Sequence, residues 1–494
     1  MSILEINDLS FSYDGGTSPI FEHVSFRLDT DWRLGFTGRN GRGKTTFLKL
    51  LLGEYEYSGT IRCTMPFVYY PFPVENESEW VCDIVSERLG DENMWRFRKE
   101  LSALGVSEDA IYRPYNTLSG GEQTKVQTAI LFSRENCFYL LDEPTNHLDR
   151  TARETLGKYL AHKKGFILVS HDRALLDTCT DHTLSVNKTD IEIQKGSFSL
   201  WQENKAQRDA FEAAENEKLK KEITRLQTAA ARTAGWSRQA ESSKNGTRNS
   251  GLRPDRGFIG HKSAKMMQRA KSIAQRRETA ISEKEALLKN IETAEALKLT
   301  PLPFKSHMLA ELRDLQVCYD GNPIFAPVSF SICQGDKIHL YGENGAGKTS
   351  IFKLLCGEEL SYSGNLYIAK DLVVSCLPQG TQGLHDTLQD FLKENALNET
   401  LFYTILRKLD FSREQFLCRL ENCSAGQKKK IQLARCLCTP AHLYILDEPL
   451  NYMDVWSRIQ LENLFRDTEA ALLFAEHDAA FCENAATKTV HLQK

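Results

Sequence analysis

The sequence predicts an α/β protein in which two copies of one domain flank a long helical segment. The first observation is that five landmark residues of the first half recur in the second half, in the same order and 304 to 306 residues further on. Landmarks in register over about 160 residues indicate a duplicated domain. The second observation is that short β-rich runs alternate with helical segments in each half, as in a largely parallel sheet covered by helices. The landmark pairs are Tyr13/Tyr319, Lys44/Lys348, Ser119/Ser424, Asp142/Asp447 and His171/His477.

The composition is that of an ordinary globular protein. Its 494 residues are 41% hydrophobic and 26% charged, which suits two or three domains with cores of their own. No apolar run approaches the roughly 18 to 20 residues that cross a bilayer, and the first residues alternate like a strand instead of resembling a secretion signal. The thirteen cysteines are an odd number and are mostly scattered singly. We therefore expect a cytoplasmic protein without membrane contact, whose cysteines are reduced.

Charge is unevenly distributed along the chain. Residues 205–300 contain 21 Lys and Arg against 12 Asp and Glu, a net charge of +9, whereas the remainder carries −13. Within residues 232–277 there are 12 basic and 2 acidic residues, a net charge of +10. Two acidic domains therefore flank a basic insert. Such a concentration of one sign is typical of a surface that binds a polyanion, and nucleic acid is the commonest one.

Shifts in composition divide the chain into three parts. We call residues 1–204 the first domain, residues 205–305 the linker segment and residues 306–494 the second domain. In the linker segment, apolar residues recur at helical spacing on both sides of a Gly- and Pro-containing stretch that begins near Gly235. This pattern predicts a long α-helical hairpin with its tip at about residues 233–262.

Each outer domain contains a glycine-rich loop between a strand and a helix. The loops read GRNGRGKT at residues 38–45 and GENGAGKT at residues 342–349, and both fit the phosphate-loop pattern GxxxxGK[ST]. The glycines let backbone N–H groups turn towards phosphates, the lysine reaches the β- and γ-phosphate oxygens, and the threonine binds Mg²⁺. The loops therefore predict two ATP sites. Their expected nucleotide contacts are Gly38, Asn40, Gly41, Gly43, Lys44, Thr45, Thr46, Gly342, Asn344, Gly345, Gly347, Lys348, Thr349 and Ser350.

A pair of acidic residues ends an apolar strand in each outer domain, as Asp142-Glu143 and Asp447-Glu448. The first acid of a pair can hold Mg²⁺ through water, and the second can orient or deprotonate the attacking water. A strand-end pair on its own is more often a solvated surface pair, but its place downstream of a phosphate loop favours catalysis. The predicted catalytic acids are Glu143 and Glu448, and the predicted metal contacts include Thr45, Asp142, Thr349 and Asp447.

The segment LSGGEQ at residues 118–123 is the signature of the ATP-binding-cassette (ABC) ATPases, and both outer domains resemble that family. The family's cassettes pack head to tail, so that the signature of one completes the ATP site of the other. The resemblance therefore implies a monomer with two composite sites. Site one joins the phosphate loop of the first domain to the signature of the second, and site two joins the reverse pair. The implied signature contacts are Ser119, Gly120, Gly121, Ser424, Ala425 and Gly426.

The same resemblance implies roles for five more residues. His171 and His477 follow strands and are similar to the family's switch histidines, which contact the γ-phosphate. Tyr13 and Tyr319 match the aromatic residue that stacks on adenine, the alternative being strand tyrosines of the core. Gln379 matches the glutamine that follows the phosphate loop and contacts nucleotide and Mg²⁺.

Two departures from the family pattern fall on site one. The second signature reads CSAG at residues 423–426, and the methyl group of Ala425 adds bulk where the family has glycine. The first domain has PFPVE at residues 71–75 where a counterpart of Gln379 is expected. We therefore expect site one to bind ATP more than it hydrolyses it.

Two cassettes joined by a basic helical hairpin of about 100 residues resemble the ABC-F family of ribosome-binding translation factors over the whole chain. The segment DEPTNHLD at residues 142–149 matches that family's wording. In the ABC-F family, the hairpin enters the tRNA exit site and its tip points towards the peptidyl-transferase centre. The signature follows the phosphate loop after 81 residues in the first domain and 82 in the second, which leaves no room for the extra arm of some housekeeping members. The long tip, which mixes arginines with isolated aromatic residues, also favours the antibiotic-resistance group.

The resemblance thus implies an ATPase that binds the ribosome through large-subunit rRNA and the P-site tRNA. It further implies that the hairpin releases an antibiotic of the pleuromutilin, lincosamide or streptogramin A type, and that ATP hydrolysis frees the protein. Two alternatives stay open, a housekeeping translation factor and a tandem ATPase subunit of a transporter.

Overall fold

The computed structural model describes residues 2–13, 19–146, 148–186, 191–242, 275, 296–319, 321–381, 383–412 and 415–493. The chain divides into two compact units. One unit combines Met1–Trp201 with Ala294–Lys494, and the other is Gln202–Thr293. Both outer domains therefore belong to one unit.

The first domain contains two sheets among the described residues. A three-stranded antiparallel sheet has the order β2-β1-β4, and a six-stranded sheet has the order β5-β6-β7-β3-β8-β9. The six-stranded sheet is parallel except for β9, which pairs antiparallel to β8. The strands are β1 (Ile3–Phe11), β2 (Phe21–Asp29), β3 (Arg33–Gly38), β4 (Ser58–Arg62), β5 (Phe67–Tyr70), β6 (Phe138–Asp142), β7 (Phe166–Val169), β8 (His182–Val186) and β9 (Ile191–Lys195).

The helices of the first domain connect these parallel strands or form a separate helical layer. The helix α1 follows the phosphate loop, α4 follows the signature, and α2 and α3 lie between them in the chain. The helices are α1 (Lys44–Leu51), α2 (Val81–Leu89), α3 (Met94–Ala103), α4 (Gly120–Phe132), α5 (Arg150–Ala161) and α6 (Arg173–Cys179).

The second domain repeats this plan. Its parallel sheet has the order β15-β16-β17-β13-β18, and β10 pairs antiparallel with β11, β12 and β14 in a smaller sheet. The strands are β10 (Met308–Tyr319), β11 (Asn322–Pro323), β12 (Val328–Cys333), β13 (Lys337–Tyr341), β14 (Tyr362–Ile368), β15 (Val374–Leu377), β16 (Leu443–Asp447), β17 (Ala471–Ala475) and β18 (Lys488–His491). The helices that follow the linker segment are α8 (Lys348–Leu355), α9 (Leu388–Glu394), α10 (Glu399–Lys408), α11 (Ala425–Cys438), α12 (Val455–Asp467) and α13 (Ala479–Ala485).

The central strands are buried on both faces, which explains their continuous apolar runs. On β7, Phe166 and Leu168 pack into the core beneath α4 and α5, whereas Ile167 and Val169 pack into the core beneath α1. This alternation follows from the two-residue period of a strand. Each fully buried side chain of this kind contributes roughly 1.5 to 3 kcal/mol of transfer free energy. The sheet therefore fixes the strand ends from which the candidate site residues project.

One long helix of 45 residues, α7 (Phe198–Ser242), begins at the end of the first domain and continues into the linker segment. The sequence places the start of the tip at residue 233 because Gly235 weakens a helix, yet α7 continues through Gly235 to Ser242. An isolated glycine costs only about 1 kcal/mol relative to alanine, and Arg238, Gln239 and Ala240 beyond it are good helix formers. The rest of the predicted tip and the second arm lie outside the described residues, apart from residue 275, which is helical.

The end of the predicted linker segment packs with the second domain. Leu297 is buried in the core that contains α10 and α11, and the backbone N–H of Leu302 donates a hydrogen bond of 2.9 Å to the carbonyl oxygen of Ala441. The sequence boundary at residue 305 follows charge, whereas the compact unit begins at Ala294 because of this packing.

The predicted fold class, an α/β protein with two phosphate-loop domains, is confirmed. All thirteen cysteines are free thiols. Within the described part of the chain, no helix combines the length and the apolar character that crossing a membrane requires.

Candidate functional site

Two glycines shape the phosphate loops. Gly43 ends the first loop with φ of 85°, and Gly347 ends the second with φ of 89°, both in the left-handed region. A Cβ atom would lie 2.5 Å from Cγ2 of Ile20 at the first position and 2.6 Å from Cδ1 of Phe325 at the second. Only glycine fits both constraints. The backbone can therefore curl around a phosphate directly before the N-terminus of α1 or α8.

The loop lysines are buried against their own loops. Nζ of Lys44 donates a hydrogen bond of 2.7 Å to the carbonyl oxygen of Gly38, and Nζ of Lys348 donates one of 2.6 Å to that of Gly342. Burial lowers the pKa of both lysines, while nearby acidic groups oppose the shift. The two ammonium groups thus have the same geometry, with each held at the phosphate side of its loop.

A hydroxyl group and a carboxylate meet beside each loop. Oγ1 of Thr349 donates a hydrogen bond of 2.6 Å to Oδ2 of Asp447. Burial raises the pKa of Asp447 to about 6, and it also raises the pKa of Asp142, an effect that the hydrogen bond from Thr45 opposes. A hydroxyl and a carboxylate oxygen suit a hard divalent cation such as Mg²⁺.

The two candidate catalytic acids have strained backbones and histidine neighbours. Glu143 has φ of 50° and Glu448 has φ of 45°, a conformation that is uncommon for residues other than glycine. Oε1 of Glu143 lies 3.3 Å from Nε2 of His171, and Oε1 of Glu448 lies 3.8 Å from Nε2 of His477. Among the described residues, Oε1 of Glu143 and Nε2 of His477 are buried without a hydrogen-bond partner. Buried polar atoms of this kind fit a polar ligand.

Burial shifts the pKa of Glu143 and of both histidines. It raises the pKa of Glu143 to about 7, with the charge of Asp142 as a second cause. It lowers the pKa of His477 to about 4 and the pKa of His171 well below its ordinary value, so both imidazoles are neutral at pH 7. A carboxyl group with a pKa near 7 suits a general base at neutral pH.

Tyr13, two residues after β1, and Tyr319, the last residue of β10, lie next to the loop helices. The hydroxyl of Tyr13 is 2.8 Å from Oγ1 of Thr46, and that of Tyr319 is 3.3 Å from Oγ of Ser350. Their exposed fractions are 44% and 48%, so neither is a core residue. Each ring has a free surface beside the phosphate loop, as stacking on a base requires.

Site one brings together both domains in a cavity of about 350 Å³. The first domain contributes the phosphate loop, the candidate base and the histidine, while the second contributes its signature. The predicted residues that line this cavity are Asn40, Gly41, Glu143, His171, Ser424, Ala425 and Gly426.

Site two is a larger cavity of about 810 Å³ with the reverse arrangement. Here the phosphate loop belongs to the second domain, and Gly120 of the first signature lies across from it. The predicted residues that line this cavity are Gly120, Tyr319, Asn344, Gly345, Gly347, Lys348, Thr349, Ser350, Gln379, Glu448 and His477.

The signatures reach these cavities as the N-termini of helices. The Ser119 side chain accepts a hydrogen bond from the backbone N–H of Glu122, and the Glu122 side chain accepts one from the backbone N–H of Ser119. Ser424 and Gln427 form the same reciprocal pair at the start of α11. Such capping stabilises a helix start by about 1 kcal/mol and leaves the following N–H groups directed outwards. These N–H groups and the helix dipole favour an anion.

A protein-family model described as "ABC transporter" matches residues 21–146 and 325–451, which together make up more than half of the chain. The chain belongs to this family. Each matched range contains a phosphate loop and an acidic pair, so the protein has two ABC cassettes and is an ATPase. We call the first and second domains cassette one and cassette two from here on.

Curated relatives match almost the whole chain. The "ATP-binding protein Uup" of Caulobacter vibrioides is 28% identical over 99% of this chain and 77% of its own length. The "Ribosome protection protein VmlR" of Bacillus subtilis is 27% identical over 96% of this chain and 84% of its own length. The ABC transporter ATP-binding protein YfmM of B. subtilis is 26% identical over 99% of this chain and 98% of its own length.

Solved structures of tandem-cassette proteins have the same fold. A crystal structure of archaeal ribosome recycling factor aABCE1, in complex with the ribosomal stalk protein aP1, gives a TM-score of 0.61 at 20% identity. It covers 98% of this chain and 87% of that chain. The structure entitled "RNase-L Inhibitor" also gives 0.61, at 19% identity, with the same coverage. At this identity the likeness concerns the fold.

The strand register identifies the residue of cassette one that corresponds to Gln379. Tyr70 pairs with Leu141 on β6, and Leu377 pairs with the corresponding residue of β16, so Phe72 takes the place of Gln379. The Phe72 ring lies 4.1 Å from the guanidinium carbon of Arg88 on α2. The side chain at this position therefore interacts with the helical layer of cassette one.

Two polar contacts between the cassettes lie at site one, and the sequence did not reveal them. Nδ2 of Asn40 donates a hydrogen bond of 2.8 Å to the carbonyl oxygen of Tyr452, and Arg39 forms an ion pair of 3.3 Å with Asp410. The residue that corresponds to Arg39 in cassette two is Glu343, which has the opposite charge. Arg39 and Asp410 are 371 positions apart, so only the fold brings these charges together.

Two arginines that the sequence analysis missed reach the opposite cassette's site. Arg458 lines site one and Arg153 lines site two. Each is held by an aspartate of its own cassette, Arg458 by Asp478 at 3.4 Å and Arg153 by Asp172 at 3.3 Å. Arg153 and Arg458 are 305 positions apart, as are Asp142 and Asp447. Aligning the two halves residue by residue would therefore have shown an arginine at the same position of both.

The raised pKa of Glu143 predicts a pH-dependent stability. The folded protein holds this proton up to about pH 7, whereas the unfolded chain releases it near 4.5. The free energy of unfolding therefore falls as pH rises through this window. We expect Glu143→Gln to stabilise the protein at pH 8 by roughly 1 to 3 kcal/mol, and to have little effect at pH 4.5. Urea unfolding at several pH values tests this, and a difference that is independent of pH contradicts it.

Proposed function

We propose that the protein is an ABC-F ATPase that protects the ribosome from antibiotics of the peptidyl-transferase centre. The observation that carries the proposal is a pair of composite ATP sites formed within one chain, with a basic segment inserted between the two cassettes. ATP binding at these sites can hold the two cassettes together, and ATP hydrolysis can release them. The inserted segment supplies a surface for RNA.

The site residues divide the chemistry of ATP hydrolysis between them. Lys44 and Lys348 offset the negative charge of the β- and γ-phosphates, and the backbone of each loop donates hydrogen bonds to them. Glu143 and Glu448 are the proposed general bases, which take a proton from the attacking water. The neutral histidines beside them can donate a hydrogen bond to the γ-phosphate. Thr45 with Asp142, and Thr349 with Asp447 and Gln379, are the residues that would hold Mg²⁺, which neutralises phosphate charge.

ATP binding and cassette pairing are linked in this arrangement. The phosphate loop of one cassette and the signature helix of the other line the same cavity at each site. A nucleotide that contacts both sides stabilises the paired arrangement by its binding energy. Hydrolysis removes the γ-phosphate, and its contacts to the signature of the opposite cassette are then lost. We therefore propose that the protein binds the ribosome with ATP and leaves after hydrolysis.

Three features support the ribosome as the partner. Residues 232–277 carry a net charge of +10, which suits the phosphates of large-subunit rRNA and P-site tRNA. The long helix α7 extends the chain from cassette one into this basic segment. The ribosome protection protein VmlR is 27% identical over 96% of the chain. We further propose that the protein is cytoplasmic and acts as a monomer.

The proposed antibiotics are of the pleuromutilin, lincosamide and streptogramin A type. In the proposal, the hairpin enters the tRNA exit site and its tip reshapes the drug pocket near the P-site tRNA. The proposal for the tip rests on sequence, because residues 243–262 lie outside the described residues. The tip sequence combines Trp236, Phe258 and Ile259 with several arginines. Aromatic rings can stack on unpaired bases while arginines neutralise phosphates.

Co-sedimentation with ribosomes and drug susceptibility together test the proposal. Full-length protein should sediment with ribosomes in the presence of a non-hydrolysable ATP analogue and dissociate with ADP. Expression in a sensitive host should raise the inhibitory concentration of at least one of the three drug classes. Sedimentation without protection would favour a housekeeping ABC-F factor. Failure to sediment under any nucleotide would favour the ATPase subunit of a transporter.

Replacement of the tip separates protection from binding. A variant in which a short Gly-Ser turn replaces residues 236–260, which begin within α7, should fold, hydrolyse ATP and sediment with ribosomes, because these residues lie outside both cassettes. We expect it to lose protection, since pocket geometry discriminates among ligands. Single changes at Trp236, Phe258 and Ile259 should differ in the drugs that they still counter. Inhibitory concentrations at equal expression levels measure this, and full protection by the shortened protein would refute the mechanism.

A further inference from the structure

Tyr69 contacts the candidate metal-binding acid of site one. Its hydroxyl donates a hydrogen bond of 3.1 Å to Oδ2 of Asp142. The strands β5 and β6 are parallel, and Tyr69 lies opposite Leu140. Because side chains alternate along a strand, Tyr69, Leu140 and Asp142 project from the same face of the sheet, and the long tyrosine side chain reaches the carboxylate. Thr45 contacts the same carboxylate.

The adjacent residue, Tyr70, points to the other face. Its hydroxyl donates a hydrogen bond of 3.3 Å to Oγ1 of Thr124, a residue of α4. Tyr70 is buried in the core beneath the helical layer, whereas Tyr69 packs against the core beneath α1. Two neighbouring tyrosines thus make one hydroxyl contact each, on opposite sides of the sheet.

Cassette two has different residues at the positions that correspond to Tyr69 and Phe72. By the strand register, Cys376 stands in the place of Tyr69, opposite Ile445 of β16. Gln379, which lines site two, stands in the place of Phe72. Cassette one therefore has a hydroxyl donor three residues before the position where it lacks the glutamine amide.

The hydroxyl of Tyr69 can act as a hydrogen-bond donor in a fixed position beside Asp142. Among the described residues, the phenol O–H has no role here other than donating this bond of 3.1 Å to the carboxylate. A hydrogen bond to a carboxylate fixes its orientation, and the groups that orient metal-binding carboxylates tune metal affinity.

We infer that Tyr69 positions Asp142 for Mg²⁺ at ATP site one and thereby compensates for the absence of a glutamine at position 72. The inference rests on the proposed function, in which site one binds ATP together with Mg²⁺. Tyr69 is a positioning residue, because it acts through Asp142. In this inference, Tyr69 supports the binding of ATP with Mg²⁺ at site one. It does not raise the rate of ATP hydrolysis there, which stays low.

The test is the Mg²⁺ dependence of ATP binding to the full-length protein. All variants carry Lys348→Ala, which removes the phosphate-binding lysine of site two. ATP binding is measured by calorimetry across a Mg²⁺ titration and again in excess EDTA. We expect Tyr69→Phe to raise the half-saturating Mg²⁺ concentration by about 3- to 10-fold, the scale of one ordinary hydrogen bond, and to leave the affinity in EDTA unchanged. Tyr70→Phe, the matched control, should leave both quantities unchanged.

A second variant tests compensation directly. Adding Phe72→Gln to Tyr69→Phe should return the half-saturating Mg²⁺ concentration towards that of the Lys348→Ala parent. An unchanged Mg²⁺ requirement in Tyr69→Phe would overturn the inference. An equal shift in Tyr70→Phe, or an equal loss of affinity in EDTA, would assign the effect to packing and would overturn it as well. A parent that binds no ATP contradicts the proposed use of site one, and the inference fails with it.

Discussion

Glu448→Gln should lower the steady-state ATPase rate by about 10²-fold or more, and Glu143→Gln should lower it less. Both substitutions remove a carboxylate that can accept a proton from the attacking water. The difference arises because site two, which uses Glu448, contains Gln379 and faces the glycine signature of cassette one. Site one faces Ala425 and has the smaller cavity, 350 Å³ against 810 Å³. Most turnover is therefore expected at site two.

The measurement is phosphate release at saturating ATP without ribosomes. Glu358→Gln provides a matched control, because this glutamate forms an exposed ion pair with Lys353 at 3.4 Å in the same cassette. It should leave the rate unchanged. The double variant Glu143→Gln and Glu448→Gln should bind ATP and remain on ribosomes after washing. Equal effects of the two single substitutions would show that the sites are alike or fully coupled, and would contradict the asymmetry.

Reversing the charge of Arg248, Arg253 and Arg256 to glutamate should weaken ribosome binding by at least about 10²-fold at low salt. Each arginine that contacts a phosphate releases a counterion on binding, so the logarithm of the affinity falls with the logarithm of the salt concentration. Loss of three such contacts should reduce that slope by about 2 to 3. The ATPase rate without ribosomes should stay unchanged, because the three arginines lie outside both cassettes.

Sedimentation with ribosomes over a range of KCl concentrations measures the affinity and its slope. The control variant carries lysine at the same three positions, which keeps the charge and should keep most of the affinity. An affinity and slope equal to those of the parent protein in the glutamate variant would refute the RNA-contact role of these arginines. A weakened lysine variant would instead indicate that guanidinium geometry, and not charge alone, recognises the RNA.

The sequence by itself determined the fold class and much of the local chemistry of the sites. The phosphate loops, the acidic pairs and the signatures are continuous segments, so that their residue types and spacing are visible in one dimension. Gly43 and Gly347 illustrate why this works. The left-handed backbone and the close approach of Ile20 or Phe325 both require glycine, and a local constraint of this kind leaves a direct trace in the sequence.

The tertiary structure decided the features that depend on distant residues. Tyr69 reaches Asp142 because β5 and β6 are paired in parallel, and Arg39 meets Asp410 because the two cassettes face each other. The pKa of Glu143 near 7 arises from burial, which the letters D-E at a strand end do not specify. Composition also misplaced the end of the first linker arm, since one glycine weakens a helix without stopping it. Pairing, burial and register are cooperative properties of the folded chain, and no short window of sequence contains them.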